Sequence, residues 1–498
     1  MSTRTARLTA SPPSCWTGLA DVLHLEYDIT GLRGADYNPR YIDEADLRKL
    51  GESIRTLGLV KPLIVRGDLL VAGHQRTKAL RSIGVSKAPV FVLAKDTSTY
   101  DEVRFNQLHN GTDLDTGEEN AVIPAGFTSK GYHVFEDTAS ITGNMRAAGA
   151  GIRMEICDLM QRYGSWGGVV ATFSGKVIHA AQYALAAKML RMPLTVFAVP
   201  DEEEALYRSF LDKTYGVFNY DRLERSTYIQ TLAQLPRLRK GKSGKENKSQ
   251  IYEGHAIPFL EANPSTTMID FGAGQGDYFR ALKARGFDVY ELEFFRRKGM
   301  ERTIDGAATQ RMIDRMIARL EANGQFDAVV CDSVLNSVDT VEAETGVMVM
   351  LNVLTRMGGR VFFSGRSIDE PLRAVSKTRA FSNGRYRRRV DFLDVNGFSG
   401  FYREGHWFFQ KFHSREQVLK LCELAGLRID KHNHDTTTFQ VRATKFRELD
   451  WSQVERAIRY EFELPLTDGR KIGRSADMLA TMERVYARLQ DRSEERAG

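Results

Sequence analysis

The run Thr267-Met-Ile-Asp-Phe-Gly-Ala-Gly-Gln-Gly-Asp-Tyr278 constrains this chain more than any other stretch. A short apolar strand delivers Asp270 onto a turn carrying Gly272, Gly274 and Gly276, and a helical pattern follows from Tyr278 to Arg285. A glycine costs up to roughly 1 kcal/mol of backbone entropy relative to alanine, so three within five positions need a reason. The usual one is an adenosyl or phosphate group lying against bare backbone at a helix N-terminus. The dinucleotide fingerprint Gly-x-Gly-x-x-Gly is incomplete here, because Asp277 stands where its third glycine would fall. A second strand, Gly286-Phe-Asp-Val-Tyr-Glu-Leu-Glu293, also ends in an acid.

Together these residues resemble motif I and the following acid of class I S-adenosylmethionine-dependent methyltransferases. The resemblance implies a Rossmann-like domain that binds S-adenosylmethionine. Asp270 would receive the methionyl ammonium, and Gly272, Gly274 and Gly276 would admit the adenosyl side. Glu293, with Glu291 as the fallback, would accept the ribose hydroxyls. The strand Phe326-Asp-Ala-Val-Val-Cys-Asp332, continuing into Ser-Val-Leu-Asn-Ser-Val338, resembles the family's fourth strand and motif IV, which adds Asp332 to the cofactor set. Neither the Pro-Pro-Tyr grip of DNA amino-methyltransferases nor a Pro-Cys nucleophile is present, and Cys331 reads as core. The Val-Leu-Asn version resembles the small-molecule branch, or the methyltransferases linked to DNA phosphorothioation systems. Asp332, Asn336, Tyr402 and His406 are the candidates for acid–base or substrate-orienting work.

From Pro371 to Arg415 there are ten Lys/Arg against three acids, a surplus of seven where the whole chain carries +6. Aromatic residues interleave with these charges, among them Phe381, Tyr386, Phe392, Tyr402 and Trp407. Cations for phosphates and rings for unstacked bases make the composition of a nucleic-acid groove. Arg385, Arg387, Arg388 and Arg389 are the contacts expected for DNA. A solvated charged face is the plainer alternative.

Upstream, Tyr37-Asn-Pro-Arg40, Leu47 to Val65 and Val71-Ala-Gly-His-Gln-Arg-Thr-Lys-Ala79 resemble the ParB/sulfiredoxin N-terminal fold over about Glu26 to Asp113. The resemblance implies a phosphate-binding box at Gly73, His74 and Arg76. Glycine would let backbone approach, and arginine would grip phosphate bidentately. CTP or another nucleotide is the implied ligand. The cysteine of sulfiredoxin is missing, and the later helix reads Phe105-Asn-Gln-Leu-His-Asn110, without the family's glutamate and arginine. A second strand-turn-strand-helix pattern begins at Gly175 and aligns without gaps on Gly67 onward, so that Ala181 and Ala184 fall opposite Gly73 and Arg76.

The 498 residues thus divide into a tail (1–25), a ParB-like domain (26–113), a degenerate second ParB-like unit (114–235), a basic linker (236–250), a methyltransferase domain (251–446) and C-terminal helices (447–498). The expected fold class is α/β, an α+β unit of ParB/sulfiredoxin type, duplicated, followed by a Rossmann-like domain. Four scattered cysteines without C-x-x-C spacing predict no metal site and fit a reducing, cytoplasmic setting. No apolar run is long enough for a membrane span. The expected function is a methyltransferase acting on or with DNA, of the kind a phage or mobile element encodes, with a homodimer as one assembly. The alternatives are a nucleotide-switched DNA-binding protein with an accessory methyltransferase fold, or an enzyme whose acceptor is RNA, protein or a small molecule.

Overall fold

The computed structural model describes residues 23–110 except 39, 120–145 except 125, 150–211, 217–220, 223, 234–240, 244–298, 303–374, 393–403, 406–466 and 469–497. The chain divides into two compact units. One is Met1–Glu224 with Pro371–Val395 and Gly400–Trp407; the other is Arg225–Glu370 with Asn396–Ser399 and Phe408–Gly498. The expected ParB-like domain and the second ParB-like unit as far as Glu224 therefore fall in the first unit, and 225–235 falls in the second. The 236–250 stretch and the C-terminal helices fall in the second.

The first unit opens with strands β1 (Leu23–Asp28) and β2 (Arg33–Gly34) and helix α1 (Glu44–Leu57). The Asp43 carboxylate caps α1 by accepting from the Asp46 amide, and Gly58 ends it at φ 81°. A hairpin follows, β3 (Leu63–Arg66) and β4 (Leu69–Ala72), turning at Gly67. Helix α2 (His74–Ser82), strand β5 (Lys87–Val92) and helix α3 (Thr99–Asn110) complete the module. The sheet runs β1-β5-β3-β4-β2; β3 pairs parallel with β5 and antiparallel with β4, and β1 pairs antiparallel with β5.

The next stretch builds β6 (Gly131–Phe135), α4 (Ala150–Tyr163), β7 (Val169–Thr172), β8 (Val177–His179), α5 (Ala181–Leu190), β9 (Leu194–Val199) and α6 (Glu204–Leu211). Its sheet, β8-β7-β9-β6, has the order and sense of β4-β3-β5-β1. The left-handed backbone positions also correspond: Gly58 with Gly164, Gly67 with Gly175, Gly73 with Ala180, and Gly84 with Arg191. β8 is one residue shorter than β4. The gap-free alignment therefore slips by one, and Ala180 and Tyr183, not Ala181 and Ala184, stand opposite Gly73 and Arg76. The two modules share a core in which Leu57 packs with Val170, Ile178, Phe197 and Tyr207. Reciprocally, Arg104 of α3 bonds Glu155 and Asp158 of α4.

The second unit is one six-stranded sheet. Chain order is β10 (Thr267–Phe271), α7 (Asp277–Ala284), β11 (Asp288–Leu292), α8 (Gly306–Asn323), β12 (Phe326–Cys331), α9 (Val341–Leu354), β13 (Thr355–Arg366), α10 (Arg415–Leu424), β14 (Leu427–His434) and β15 (Thr438–Lys445). Sheet order is β11-β10-β12-β13-β15-β14, with β10 to β13 parallel and the last two antiparallel. The chain steps from β10 to β11 on one side and returns through α8 to β12 on the other. That reversal opens a crevice at the carboxyl ends of β10 and β12, where open α/β sheets bind ligands.

The C-terminal helices α11 (Trp451–Phe462) and α12 (Ser475–Ala497) belong to this unit, with the Phe462 ring 5.1 Å from Phe294. The stretch expected to be a linker is folded onto the unit as well. Leu238 donates to the Asn247 carbonyl, Asn247 to that of Arg239, and Leu238 packs on the core with Tyr252 and Tyr278.

Gly73 and Ala180 give substitutions of opposite sign. A Cβ on Gly73 would meet Leu63 Cδ2 at 2.5 Å on top of φ 96°, so Gly73→Ala should cost about 1–3 kcal/mol. Ala180→Gly should be neutral or stabilise by up to about 1 kcal/mol, since it relieves a left-handed alanine. Urea denaturation midpoints of the two variants check both signs.

Candidate functional site

Four carboxylates crowd the crevice end of the second sheet. Asp270 ends β10 and is 5% exposed; its Oδ1 is buried without a hydrogen-bond partner. Burial pushes its pKa up to about 8; the charges of Asp332, Glu291 and Glu293 push the same way, and the Tyr252 hydroxyl pulls against them. That hydroxyl also lacks a partner, so the two groups act on each other without closing a well-formed bond. Tyr252 is held by the π-turn Tyr252–Ala256 and stacks flat on Tyr278 with centroids 4.0 Å apart.

Glu293 follows β11 and joins it to the glycine turn. Its Oε2 accepts from the Gly274 amide at 2.7 Å and its Oε1 from the Phe295 amide at 2.9 Å. Burial raises its pKa, and these two amides and Arg296 oppose the rise. Each oxygen keeps acceptor capacity for a further donor. Glu291, the fallback, is committed elsewhere: its Oε2 accepts from Arg296 at 2.5 Å. Asp332, just past β12, accepts from Ser364 Oγ at 2.8 Å and Ser333 Oγ at 3.1 Å, and pairs with Arg237 at 2.9 Å. Ser333 takes the left-handed backbone, φ 66°, where the strand turns sharply.

The three loop glycines are needed for different reasons. All have positive φ: 81°, 55° and 69°. A Cβ on Gly272 would meet Val334 Cγ2 at 2.2 Å, and one on Gly276 would meet Glu291 Oε2 at 2.3 Å. Those two make room for the protein itself. A Cβ on Gly274 would meet nothing closer than an ordinary contact, with Gln234 at 3.9 Å. Packing thus accounts for two of the three glycines, and the left-handed backbone alone for Gly274.

Of the remaining candidates, Asn336 is not free to act on a substrate, because its Oδ1 accepts from the Arg366 amide at 2.6 Å. Tyr402 and His406 lie on the strands Phe398–Arg403 and His406–Lys411, and their side chains fall outside the described residues. Arg385, Arg387, Arg388 and Arg389 also fall outside them. Sequence reasoning missed Arg237, Gln234 and Tyr252. Arg237 was readable only as one more cation in a basic stretch.

In the first unit, the box after β4 opens on a cavity of about 130 Å³ lined by Arg40, Lys61, Arg76, His109 and His179, with Leu57 and Phe210 among its apolar walls. Arg76 donates to the Lys61 carbonyl at 2.7 Å and lies deep enough for desolvation to bring its pKa to about 10, while part of its surface stays open. His109 binds the Pro62 carbonyl through Nε2 at 2.6 Å, and its Nδ1 is buried without a partner. His74 has a different role from the one expected. Its Nε2 accepts from the Ala35 amide at 3.0 Å, and burial lowers its pKa to about 3, so it is a neutral structural residue. Gly73 likewise makes room for Leu63. Among the described residues no His/Cys/Asp/Glu group could hold a metal, and no helix is long and apolar enough to cross a membrane.

Residues 21–107 match the model of the ParB N-terminal domain. No curated protein matches the chain. Among solved structures, the chain is similar to an S-adenosylmethionine-dependent methyltransferase from Clostridium acetobutylicum, with 12% identity, 40% of this chain and 93% of that one covered, and a TM-score of 0.28. It is also similar to the glycopeptide N-methyltransferase MtfA at 13% identity, covering 41% of this chain and 93% of that one, TM-score 0.25. A third is the magnesium protoporphyrin IX methyltransferase of Synechocystis, at 16% identity, 39% and 78% coverage and TM-score 0.23. Likenesses this distant carry no argument about chemistry. The crevice has to be judged on its own geometry.

Asp270 makes the electrostatics testable without any ligand. Its folded pKa, about 8, lies above the ordinary value of 3.8, so the folded chain holds this proton longer than the unfolded one. The stabilisation this provides is complete below pH 3.8 and is lost as pH rises towards 8. Asp270→Asn should therefore be more stable than the parent at pH 8, with the advantage shrinking towards pH 4, as read by urea denaturation. Parallel pH profiles for the two proteins would remove the buried-acid assignment.

Proposed function

We propose that the second unit is an S-adenosylmethionine-dependent methyltransferase and that the first unit serves it as a nucleotide-responsive, DNA-engaging half. The observation that carries the first part is Asp270 Oδ1, buried and unpartnered at the strand end of a switch-point crevice. A donor with an ammonium group fits that atom. The spare acceptor capacity of Glu293 fits a ribose diol. When bound, S-adenosylmethionine supplies an electrophilic methyl: its S–CH3 bond breaks as a bond to the acceptor forms, S-adenosylhomocysteine leaves, and the acceptor gives up a proton. The chain's own residues hold and orient the donor, and such positioning can supply most of the acceleration. Asp332, fixed by Ser333, Ser364 and Arg237, is proposed as a further carboxylate of the donor site.

DNA is the proposed acceptor or platform. Support comes from the +7 surplus between Pro371 and Arg415 and from the ParB N-terminal domain match. For the cationic cavity at Arg76 and His109, the proposed ligand is CTP or another nucleotide bound through its phosphates. The strand order and left-handed positions common to both modules support a duplicated origin for the first unit.

Calorimetry with S-adenosylmethionine tests the donor site. Glu293→Ala should weaken binding by roughly 2–3 kcal/mol, the loss of charge-assisted hydrogen bonds. Affinity should rise with pH up to about 8, as Asp270 gives up its proton to receive the ammonium, and Asp270→Asn should abolish that rise. The acceptor is found by incubating the full chain with methyl-labelled donor and DNA, RNA and lysate. Label is expected in DNA, with DNA binding that falls steeply with salt and is lost when Arg387, Arg388 and Arg389 are neutralised. Label in another polymer or a metabolite would overturn the DNA assignment.

A further inference from the structure

The stretch 234–239 lies along the mouth of the crevice in the second unit and is pinned at three of its edges. Gln234 donates to the Phe295 carbonyl at 2.9 Å, beyond β11, and accepts from Gln275 of the glycine turn at 2.6 Å. The Arg237 amide donates to Asp277 Oδ2 at 2.8 Å, at the start of α7. Its guanidinium donates to Asp332 Oδ2 at 2.9 Å, past β12, and to Asn247 Oδ1 at 3.2 Å. Asn247 in turn donates to the Pro236 carbonyl at 2.9 Å, which closes the strap on itself.

The charges around this strap are uneven. Asp270, Asp332 and Glu293 gather at the crevice, while the nearby Arg296 is occupied by Glu291. Arg237 reaches the crevice through Asp332. Asp270 is paired in register with Val330, so Asp332 lies two residues further along the neighbouring strand, and its charge is felt at Asp270. The methyl donor carries an ammonium and a carboxylate on a single carbon. Any cation that binds the carboxylate must therefore stand within a few ångströms of whatever holds the ammonium.

We propose that Arg237 binds the carboxylate of the donor's amino-acid end, with the 234–239 strap as its mount. The inference rests on the donor site proposed above. Arg237 keeps one N–H on Asp332 and one on Asn247 and offers the other three to the incoming carboxylate. A guanidinium has five N–H groups in a fixed fork and suits this double duty. At 21% side-chain exposure, Arg237 is sheltered enough for the bond to count and open enough to receive a ligand.

The test compares S-adenosylmethionine with 5′-methylthioadenosine, which has the same nucleoside and S-methyl group but a neutral thioether in place of the sulfonium and no amino-acid end. Calorimetry on the full chain should give about 10- to 100-fold weaker S-adenosylmethionine binding for Arg237→Gln, the loss of one charge-assisted pair. Methylthioadenosine affinity should stay within about twofold. Arg237→Lys, which keeps the charge, should recover part of the loss and guards against a folding defect in the glutamine variant. Equal weakening of both ligands, or unchanged binding of S-adenosylmethionine, would overturn the proposal. Parent protein that binds neither ligand would instead remove the donor site itself.

Discussion

Desolvating a carboxylate costs several kcal/mol unless the protein supplies charge or hydrogen bonds in return, and the second unit desolvates four at the carboxyl end of its sheet. Three are compensated by groups that also shape the crevice. Glu291 takes Arg296, which requires Gly276 to lack a side chain. Glu293 takes two backbone amides and thereby fixes the glycine turn against the end of β11. Asp332 takes Arg237 and two serine hydroxyls, which ties the 234–239 strap to the end of β12. Asp270 alone keeps an uncompensated oxygen. The geometry of the crevice follows from settling the other three charges, and its chemistry from leaving this one unsettled.

The sequence was a good guide wherever a local pattern carried the physics. The acid-ended strands and the glycine turn are found in the fold where the sequence pattern put them, because strand ends and glycine turns are local. The reasons behind the glycines were not legible. Val334 and Glu291 approach Gly272 and Gly276 from 62 and 15 residues away, and only coordinates bring them together. Arg237 was hidden for the same reason, since its partner Asp332 is 95 residues further on. Composition alone made 236–250 a linker, because a basic polar stretch looks alike whether it is solvated or pinned to acids. His74 was misjudged because its motif position says nothing of the Ala35 amide that it accepts from.

The two modules of the first unit share left-handed backbone positions. Two residues with side chains, Ala180 and Arg191, occupy left-handed positions where the preceding module has Gly73 and Gly84. A left-handed residue is costly without a reason, and a shared topology provides one. The shared core at Leu57 and the reciprocal contacts of Arg104 make each module the cover for the other. The cationic cavity forms where they meet, with His109 from one and His179 from the other. Sequence could place the box, but not the module that completes it.

The central claim is that the crevice between β10 and β12 is a donor site, and a structure of the full chain with S-adenosylhomocysteine bound tests it most directly. The account predicts the amino group of the ligand within hydrogen-bond distance of Asp270 Oδ1 and its ribose hydroxyls on Glu293. A ligand bound elsewhere, or one placed in the crevice with neither carboxylate in contact, would contradict it.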